Sequence, residues 1–267
     1  MKDNKVKLVV FDWAGTTVDY GCMAPYVVFD RVFTDKGIKL TKEEILKPMG
    51  MEKKDHIREL LKTEHASRMW LEKYSRQWNE EDIDALYEDF EERLASVVAE
   101  FSQPIEGVAD AVSKLRSMGI HIGSTTGYTG AMMENVIPRA EAMGYRPDYV
   151  VTPEMVGSGR PAPFMLYENM RKFGVYPVKS VVKVGDTVMD ILEGKNGGAW
   201  SVGVIDGSSE LGLSKEEVSA LSEAELSELY KRARENYLAA GADFVIDNMS
   251  ELPALIEEIN KIMGEEK

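Results

Sequence analysis

Short apolar runs rich in β-branched residues alternate with helical patterns along most of this chain. The runs cover residues 6–11, 120–124, 149–152, 180–184 and 200–205, and a further edge strand is predicted at 243–246. Helical patterns cover residues 129–143, 163–174, 186–193 and 250–263. Strands that alternate with helices in this way indicate a parallel sheet with helices on both faces. The sequence therefore predicts an α/β fold with a Rossmann-like, doubly wound parallel sheet.

Residues 20–103 interrupt the alternation and contain no convincing strand. Apolar residues recur at helical spacing from Ile83 to Phe101, Asn79 is a predicted N-cap before them, and Thr41 starts another predicted helix. We therefore expect a helical cap domain at residues 20–103, inserted into an α/β core formed by residues 1–19 and 104–267. An insert at this point lies above the carboxyl ends of the strands, where ligands bind, and it can close as a lid.

Charge and composition narrow the classes of partner. The 267 residues include 32 Lys and Arg against 46 Asp and Glu, a net charge of −14. Such acidity disfavours nonspecific binding to nucleic acid or to an anionic membrane. The single cysteine, Cys22, rules out an internal disulfide and a cysteine-based zinc site. Because the chain has no apolar run long enough for a membrane span or a signal-peptide core, we expect a cytoplasmic protein.

Carboxylates follow two of the predicted strands. Asp12 ends the first strand, and the Trp13-Ala-Gly-Thr-Thr17 segment after it offers a tight turn with exposed N–H groups. Asp186 and Asp190 follow another strand, four residues apart, and so face one way on the first helical turn. Oxygen ligands of this kind suit Mg²⁺. Each carboxylate can alternatively serve only as a helix cap or as part of a solvated helix N-terminus.

Two further loops offer groups that bind phosphate. Ser124-Thr-Thr126-Gly127-Tyr128 follows a predicted strand and presents hydroxyl and amide donors, and Arg160 places a cation on a loop before a helix. Three of the four motifs therefore close predicted strands and the fourth opens a helix. Such an order predicts one shared site at the carboxyl edge of the sheet.

The four motifs in this order resemble those of the haloacid dehalogenase superfamily, whose members mostly transfer phosphoryl groups. The resemblance implies that Asp12 is the nucleophile and that Mg²⁺ binds to Asp12, Asp186 and the backbone carbonyl of Ala14. It also implies that Asp190 and Thr187 flank the metal behind its ligands. The residues implied to bind substrate or its phosphoryl group are Thr126, Gly127, Tyr128 and Arg160.

One position departs from the pattern of phosphatases in that superfamily. Two residues after the nucleophile they carry a second aspartate, a general acid for the leaving oxygen, whereas this chain has Ala14. Loss of a general acid costs roughly 10²–10⁴ in rate. We therefore expect a leaving group that needs no protonation on oxygen. A slow or damaged phosphatase is the alternative.

The predicted cap holds a candidate replacement for that acid. Lys53 and His56 share a helix face, in the segment Lys47-Pro-Met-Gly-Met-Glu-Lys-Lys-Asp-His. A lysine with a lowered pKa can form a Schiff base with a carbonyl group, although a surface lysine is the commoner case. Burial and the adjacent charge of Lys54 are the expected causes of a lowered pKa.

Together with the core motifs, this segment resembles the phosphonoacetaldehyde hydrolase family. The resemblance implies a Schiff base at Lys53, proton transfer by His56, and a homodimer formed through the cap. Residues that line the site next to the motifs are expected to be Met49, Gly50 and Cys22. The implied activity is Mg²⁺-dependent hydrolysis of the carbon–phosphorus bond of a small-molecule substrate. Alternatives are a phosphatase or phosphomutase of the same superfamily acting on a small phosphate ester, and a non-catalytic binding member.

Overall fold

Six parallel strands form the centre of the structure, which is a computed structural model describing residues 5–49 and 51–265. The strands are β1 (Leu8–Phe11), β2 (His121–Thr125), β3 (Tyr149–Val151), β4 (Val181–Gly185), β5 (Trp200–Val204) and β6 (Phe244–Ile246). Their spatial order is β3-β2-β1-β4-β5-β6. The chain thus builds outward from β1 first in one direction and then in the other, which is the doubly wound topology predicted from the sequence.

Helices flank this sheet on both sides. The helices that follow residue 103 are α6 (Val108–Ser117), α7 (Gly130–Ala142), α8 (Pro153–Val156), α9 (Phe164–Phe173), α10 (Val188–Gly197), α11 (Lys215–Ser219), α12 (Glu223–Ala239) and α13 (Leu252–Glu265). Helices α6, α8, α11 and α12 are absent from the sequence-based expectation, and the longest of them is α12. Its two buried side chains, Ala233 and Tyr237, are few because the helix lies largely at the surface, so its apolar pattern is weak.

The register of the sheet sets where the loops meet. Strand β1 is fully buried and pairs with β2 and β4, so that Phe11 lies opposite both Ser124 and Val184. Parallel strands in register end at one edge of the sheet. The residues that follow β1, β2 and β4 are therefore neighbours, at the point where the strand order reverses.

All of the helices and strands described between β1 and α6 are helices. The inserted helices are α1 (Met23–Asp35), α2 (Lys42–Leu46), α3 (Lys53–Lys62), α4 (Glu64–Tyr74) and α5 (Glu80–Val97). The two helix starts predicted at Thr41 and Asn79 are confirmed. Thr41 forms a capping box at the start of α2, and Asn79 forms one at the start of α5. The rings of Phe29 and Phe90 stack 4.2 Å apart where α1 packs on α5. The exact boundaries of the predicted cap and core domains stay a prediction.

The inserted helices lie close to the carboxyl edge of the sheet. The backbone N–H of Gly21 donates to the carbonyl oxygen of Gly207 at 2.7 Å, and Lys42 forms an ion pair with Glu217 at 2.9 Å. A Cβ on Gly212 would clash with the side chain of Leu46. These contacts enclose a space between the helices and the strand ends. No helix in the described ranges is both long enough and apolar enough to cross a membrane.

Candidate active site

A cavity of about 30 Å³ lies between the inserted helices and the carboxyl ends of β1, β2 and β4. Its walls include residues from every motif singled out in the sequence. They are Asp12, Ala14, Cys22, Pro25, Met49, Met51, Lys53, Thr126, Gly127, Tyr128, Arg160 and Thr187. The structure thus brings an inserted-helix lysine and a sheet-edge aspartate into one cavity.

Asp12 and Arg160 form an ion pair in this cavity. The Asp12 side chain is 7% exposed and the Arg160 side chain 4%. Burial raises the pKa of Asp12, and the Arg160 charge offsets part of that rise. The guanidinium Nη2 also donates to the backbone oxygen and the hydroxyl of Thr125, at 3.0 and 3.1 Å. Arg160 therefore stands beside the Asp12 carboxylate, where a phosphoryl group would also meet it.

Asp186 lies beside Asp12, and both of its oxygens accept hydrogen bonds. Thr16 Oγ1 donates to Oδ1 at 2.9 Å, and the N–H and hydroxyl of Ser209 donate to Oδ2 at 2.9 and 2.8 Å. A side chain on Gly15, whose φ is +84°, would clash with this carboxylate. The first motif therefore needs glycine here, because the turn must approach Asp186 closely.

The acidic residues fit a divalent cation. Oxygens of Asp12, Asp186 and Asp190 lie within 4.8 Å of one another. Burial, followed by the Asp12 and Asp190 charges, raises the pKa of Asp186 well above its usual value, and no cationic side chain in the described ranges pairs with it. Nor does any described residue donate a hydrogen bond to the Ala14 carbonyl oxygen. These hard oxygen donors suit Mg²⁺.

Asp190 has a different partner set from Asp186. Its Oδ1 lies 2.8 Å from Nζ of Lys183 and 3.2 Å from Nε of Arg160, and its Oδ2 accepts from Thr187 Oγ1 at 2.5 Å. Burial works to raise the pKa of Asp190, but the two cations lower it overall. Asp190 is therefore an ionised carboxylate already neutralised by the protein, behind the cavity wall.

The loop after β2 supplies the neutral donors of the cavity. Thr126 is 2% exposed, and its Oγ1 accepts from the N–H of Tyr128 at 3.0 Å. This hydrogen bond turns the chain so that Thr126, Gly127 and Tyr128 all line the cavity. Its hydroxyl hydrogen stays free to point at an anion.

Lys53 begins α3 and enters the cavity from the opposite side. Its Nζ donates to Sδ of Met49 at 3.9 Å and lies 5.8 Å from the centre of the Phe29 ring. Burial lowers the pKa of Lys53, and Arg160 lowers it further, although Cys22 and Asp12 act in the opposite direction. The expected contribution of Lys54 is wrong: that side chain turns outward and pairs with Asp84.

His56 lies behind Lys53 and does not line the cavity. It is fully buried, its ring packs 4.0 Å from that of Phe29, and its Nε2 lies 2.8 Å from the carbonyl oxygen of Ile45. Burial, with the Lys53 charge, lowers the pKa of His56 well below its usual value. A neutral ring must donate from Nε2, because the Ile45 oxygen only accepts. Its Nδ1 is then an acceptor, and it has no partner among the described residues.

Cys22 and Tyr128 complete the wall near Lys53. Burial raises the pKa of both groups, so they stay a neutral thiol and a neutral phenol. The Tyr128 hydroxyl is buried and finds no hydrogen-bond partner in the described ranges. Both groups can therefore hold a water molecule or a substrate oxygen. Gly50, also predicted to line the site, lies outside the described residues.

Two buried charged residues near the site were not predicted from the sequence. Lys183 in β4 and Glu193 in α10 are 1% and 0% exposed and contact the residues around Arg160. A lysine in the middle of an otherwise apolar strand was the available signal for Lys183. Ser209, which binds Asp186, follows β5 and shares the strand-end logic that selected Asp12.

Comparison with known proteins places the chain in a family. Residues 6–198 match the family model for haloacid dehalogenase-like hydrolases. Phosphonoacetaldehyde hydrolase of Bacillus cytotoxicus is 48% identical over 257 residues, covering 96% of this chain and 97% of that relative. The enzyme of the same name from Bacillus mycoides is 49% identical over the same shares.

A solved structure agrees with these relatives. The crystal structure of a phosphonoacetaldehyde hydrolase-like protein from Oleispira antarctica is 36% identical, with a TM-score of 0.95. The match covers 98% of this chain and 95% of that one. The chain therefore belongs to the phosphonoacetaldehyde hydrolase family of the haloacid dehalogenase-like hydrolases.

Proposed function

We propose that this chain hydrolyses phosphonoacetaldehyde to acetaldehyde and phosphate, through a Lys53 Schiff base and an Asp12 aspartyl phosphate. The carrying observation is that Lys53 and Asp12 line the same cavity, while Ala14 stands in that cavity without an acidic group. The close relatives of that name support the substrate. A site with an amine and a carboxylate, and no acid for a leaving oxygen, suits cleavage of a carbon–phosphorus bond.

Lys53 prepares the bond for cleavage. A neutral amine attacks the aldehyde carbon, and the resulting carbinolamine takes up one proton from solvent and loses water to give a protonated imine. The lowered pKa of Lys53 favours the neutral amine that this step requires. The iminium group can then accept an electron pair from the neighbouring carbon, so the carbon leaves without an acid.

Asp12 receives the phosphoryl group. Its carboxylate attacks phosphorus, the carbon–phosphorus electron pair moves into the imine, and an enamine forms. Arg160, already paired with Asp12, and the Thr126 hydroxyl stabilise the phosphoryl oxygens. Water then cleaves the aspartyl phosphate, and the enamine takes a proton and hydrolyses to acetaldehyde and free Lys53.

We propose Mg²⁺ as the resident metal, held by Asp12, Asp186 and the Ala14 carbonyl. When bound, it neutralises charge on the phosphoryl oxygens. Asp190 and Thr187 support this site from behind, since Asp190 is engaged by Lys183 and Arg160. The absence of a cationic partner on Asp186 in the described ranges supports the assignment.

Groups around Lys53 handle its protons. The unpartnered Nδ1 of His56 can accept a proton, through water, from the condensing amine. Cys22 and Tyr128 are proposed to hold that water or the aldehyde oxygen. Met49 and Gly50 are proposed to close the wall around the aldehyde carbon, since Met49 contacts Lys53.

We propose further that the enzyme is a cytoplasmic homodimer formed through its inserted helices. Leu71 and Tyr74 of α4 support such an interface, because their side chains are 43% and 36% exposed. Sedimentation of the wild-type protein beside a Leu71→Glu variant tests it. A monomeric wild-type protein would contradict the dimer.

A small substrate panel tests the activity. With Mg²⁺ present, phosphonoacetaldehyde should yield equal amounts of phosphate and acetaldehyde, and simple phosphate esters should react far more slowly. Chelation of the metal should stop phosphate release. Faster release from an ester than from phosphonoacetaldehyde would identify a phosphatase instead, and no release from any compound would indicate a binding member.

A further inference from the structure

Arg160 is held from behind by a group of buried side chains that take no part in the reaction proposed above. We call this group the Arg160 support; it comprises Thr125, Lys183 and Glu193, whose side chains are all buried. Thr125 ends β2, Lys183 lies in β4 and Glu193 lies in α10. Three elements of the core thus converge under one guanidinium.

Glu193 Oε2 is the centre of the support. Nε of Arg160 lies 3.3 Å from it, Nζ of Lys183 lies 3.3 Å from it, and the Thr125 hydroxyl donates to it at 3.2 Å. A single carboxylate oxygen therefore joins all the other members to Arg160. Lys183 also donates to the Thr125 hydroxyl at 2.8 Å, which closes the group.

The support fixes which side of the guanidinium faces the cavity. Glu193 and Asp190 engage Nε, while Nη2 is left for Asp12 and for Thr125. An arginine held only by Asp12 could rotate to pair with it through both terminal nitrogens. It would then compete with the phosphoryl group for the nucleophile.

The charge of Lys183 compensates the charges of two buried carboxylates. Its ammonium forms ion pairs with Asp190 at 2.8 Å and with Glu193 at 3.3 Å, so neither carboxylate depends on Arg160 alone for charge balance. Arg160 can therefore shift part of its interaction to an incoming anion without leaving either carboxylate uncompensated.

We propose that Glu193, together with Thr125 and Lys183, is a positioning residue that orients Arg160 for phosphoryl binding. The inference deepens the proposed function and rests on it for the identity of the anion. Glu193 acts through Arg160 and does not line the cavity. The effect of Glu193 on phosphate affinity must therefore vanish when residue 160 cannot form a bidentate hydrogen-bond pair with phosphate.

A double-mutant cycle tests this dependence. Glu193→Gln keeps the shape and removes the charge, and Arg160→Lys keeps a cation but removes the guanidinium. The probe is inorganic phosphate, titrated by calorimetry with Mg²⁺ present. We expect Glu193→Gln to weaken phosphate binding roughly tenfold in the wild-type background and by less than about twofold in the Arg160→Lys background.

Two further variants guard against loss of the fold. Thr125→Val removes the bridging hydroxyl without changing any charge, and it should reproduce the dependence on Arg160 with a smaller loss of affinity. Glu235→Gln is the matched control, since that exposed side chain lies on α12, away from the cavity. It should leave phosphate binding unchanged.

The outcomes separate this inference from the proposed function. Equal losses from Glu193→Gln in both backgrounds, or no loss in either, would overturn the positioning role. So would a Thr125→Val protein with wild-type affinity, or a wild-type protein that binds no phosphate. Failure to cleave phosphonoacetaldehyde would reject the proposed function alone, because the binding cycle does not need that substrate.

Discussion

The Nζ atom of Lys53 lies 3.9 Å from the Sδ atom of Met49, a weak acceptor that cannot replace the water lost from a partly buried ammonium. Burial accordingly lowers the pKa of Lys53. Lys54, the next residue, points about 100° away around the helix and pairs with Asp84 at the surface. Adjacent lysines thus have opposite environments, and only Lys53 is placed to act as an amine nucleophile.

Lys53 is predicted to form the imine, and Lys54→Arg is the matched control. Lys53→Arg should lower phosphonoacetaldehyde cleavage on the order of 10³-fold, because a guanidinium stays protonated and cannot condense. Lys54→Arg should retain near-normal activity. Borohydride added with substrate should inactivate the wild-type enzyme and leave a mass adduct on Lys53. An adduct on Lys54, or an active Lys53→Arg enzyme, would refute the assignment.

Asp12 is predicted to be the covalent nucleophile. Asp12→Asn should reduce turnover on the order of 10³-fold or more, because the amide cannot accept the phosphoryl group. The fold should persist, because burial raises the pKa of Asp12 and so already disfavours the charged form that the change removes. Rates would be compared with circular dichroism spectra of the same samples. Substantial turnover in a folded protein shown by mass to be free of deamidation would exclude this role.

Ala14→Asp is predicted not to improve phosphonate cleavage. Carbon departs through the imine, so an added acid has no oxygen to protonate. Ala14 lines the cavity next to Asp12, and a second carboxylate there should raise the KM for the anionic substrate, roughly tenfold. Steady-state kinetics on phosphonoacetaldehyde and on a phosphate ester provide the measurement. A clear rise in phosphonoacetaldehyde turnover would contradict the explanation given for alanine.

Asp19 is predicted to make stability fall as the pH rises toward neutrality. It is 4% exposed and accepts from the N–H groups of Met23 and Ala24 at the start of α1. Burial raises its pKa to about 7, above the value of 3.8 usual for the unfolded chain. A folded state that holds the proton more tightly is favoured below the unfolded pKa, and this advantage is lost as pH rises through the folded one.

Asp19→Asn should therefore shift the melting temperature, relative to the wild-type protein, more favourably at pH 8 than at pH 5. The amide oxygen keeps one of the two hydrogen bonds and the amide nitrogen loses the other at either pH, while Asn tolerates the φ of +58°. Each kcal/mol of difference corresponds to roughly 2–4 °C. Asp110→Asn is the control, an exposed aspartate in the first turn of α6. Equal shifts for Asp19→Asn at both pH values would show that ionisation of Asp19 does not govern stability.

The sequence by itself determined the elements that local patterns encode. All six strands lie within a residue or two of their predicted positions, because buried parallel strands are short apolar runs bounded by turns. The strand-end rule then placed Asp12, Thr126 and Asp186 at one edge, and the helical insert above them. Family resemblance, not periodicity, distinguished Lys53 from the surface lysines.

Only the tertiary structure decided the partners of each charge. Lys183 and Glu193 are ordinary residues within a strand and a helix, and their meeting under Arg160 depends on how β4, α10 and the loop before α9 pack. Burial lowers the pKa of both Lys53 and His56, and the residues that bury them are likewise distant in sequence. Local periodicity specifies which face of an element is apolar, whereas electrostatic environment is a property of the assembled fold.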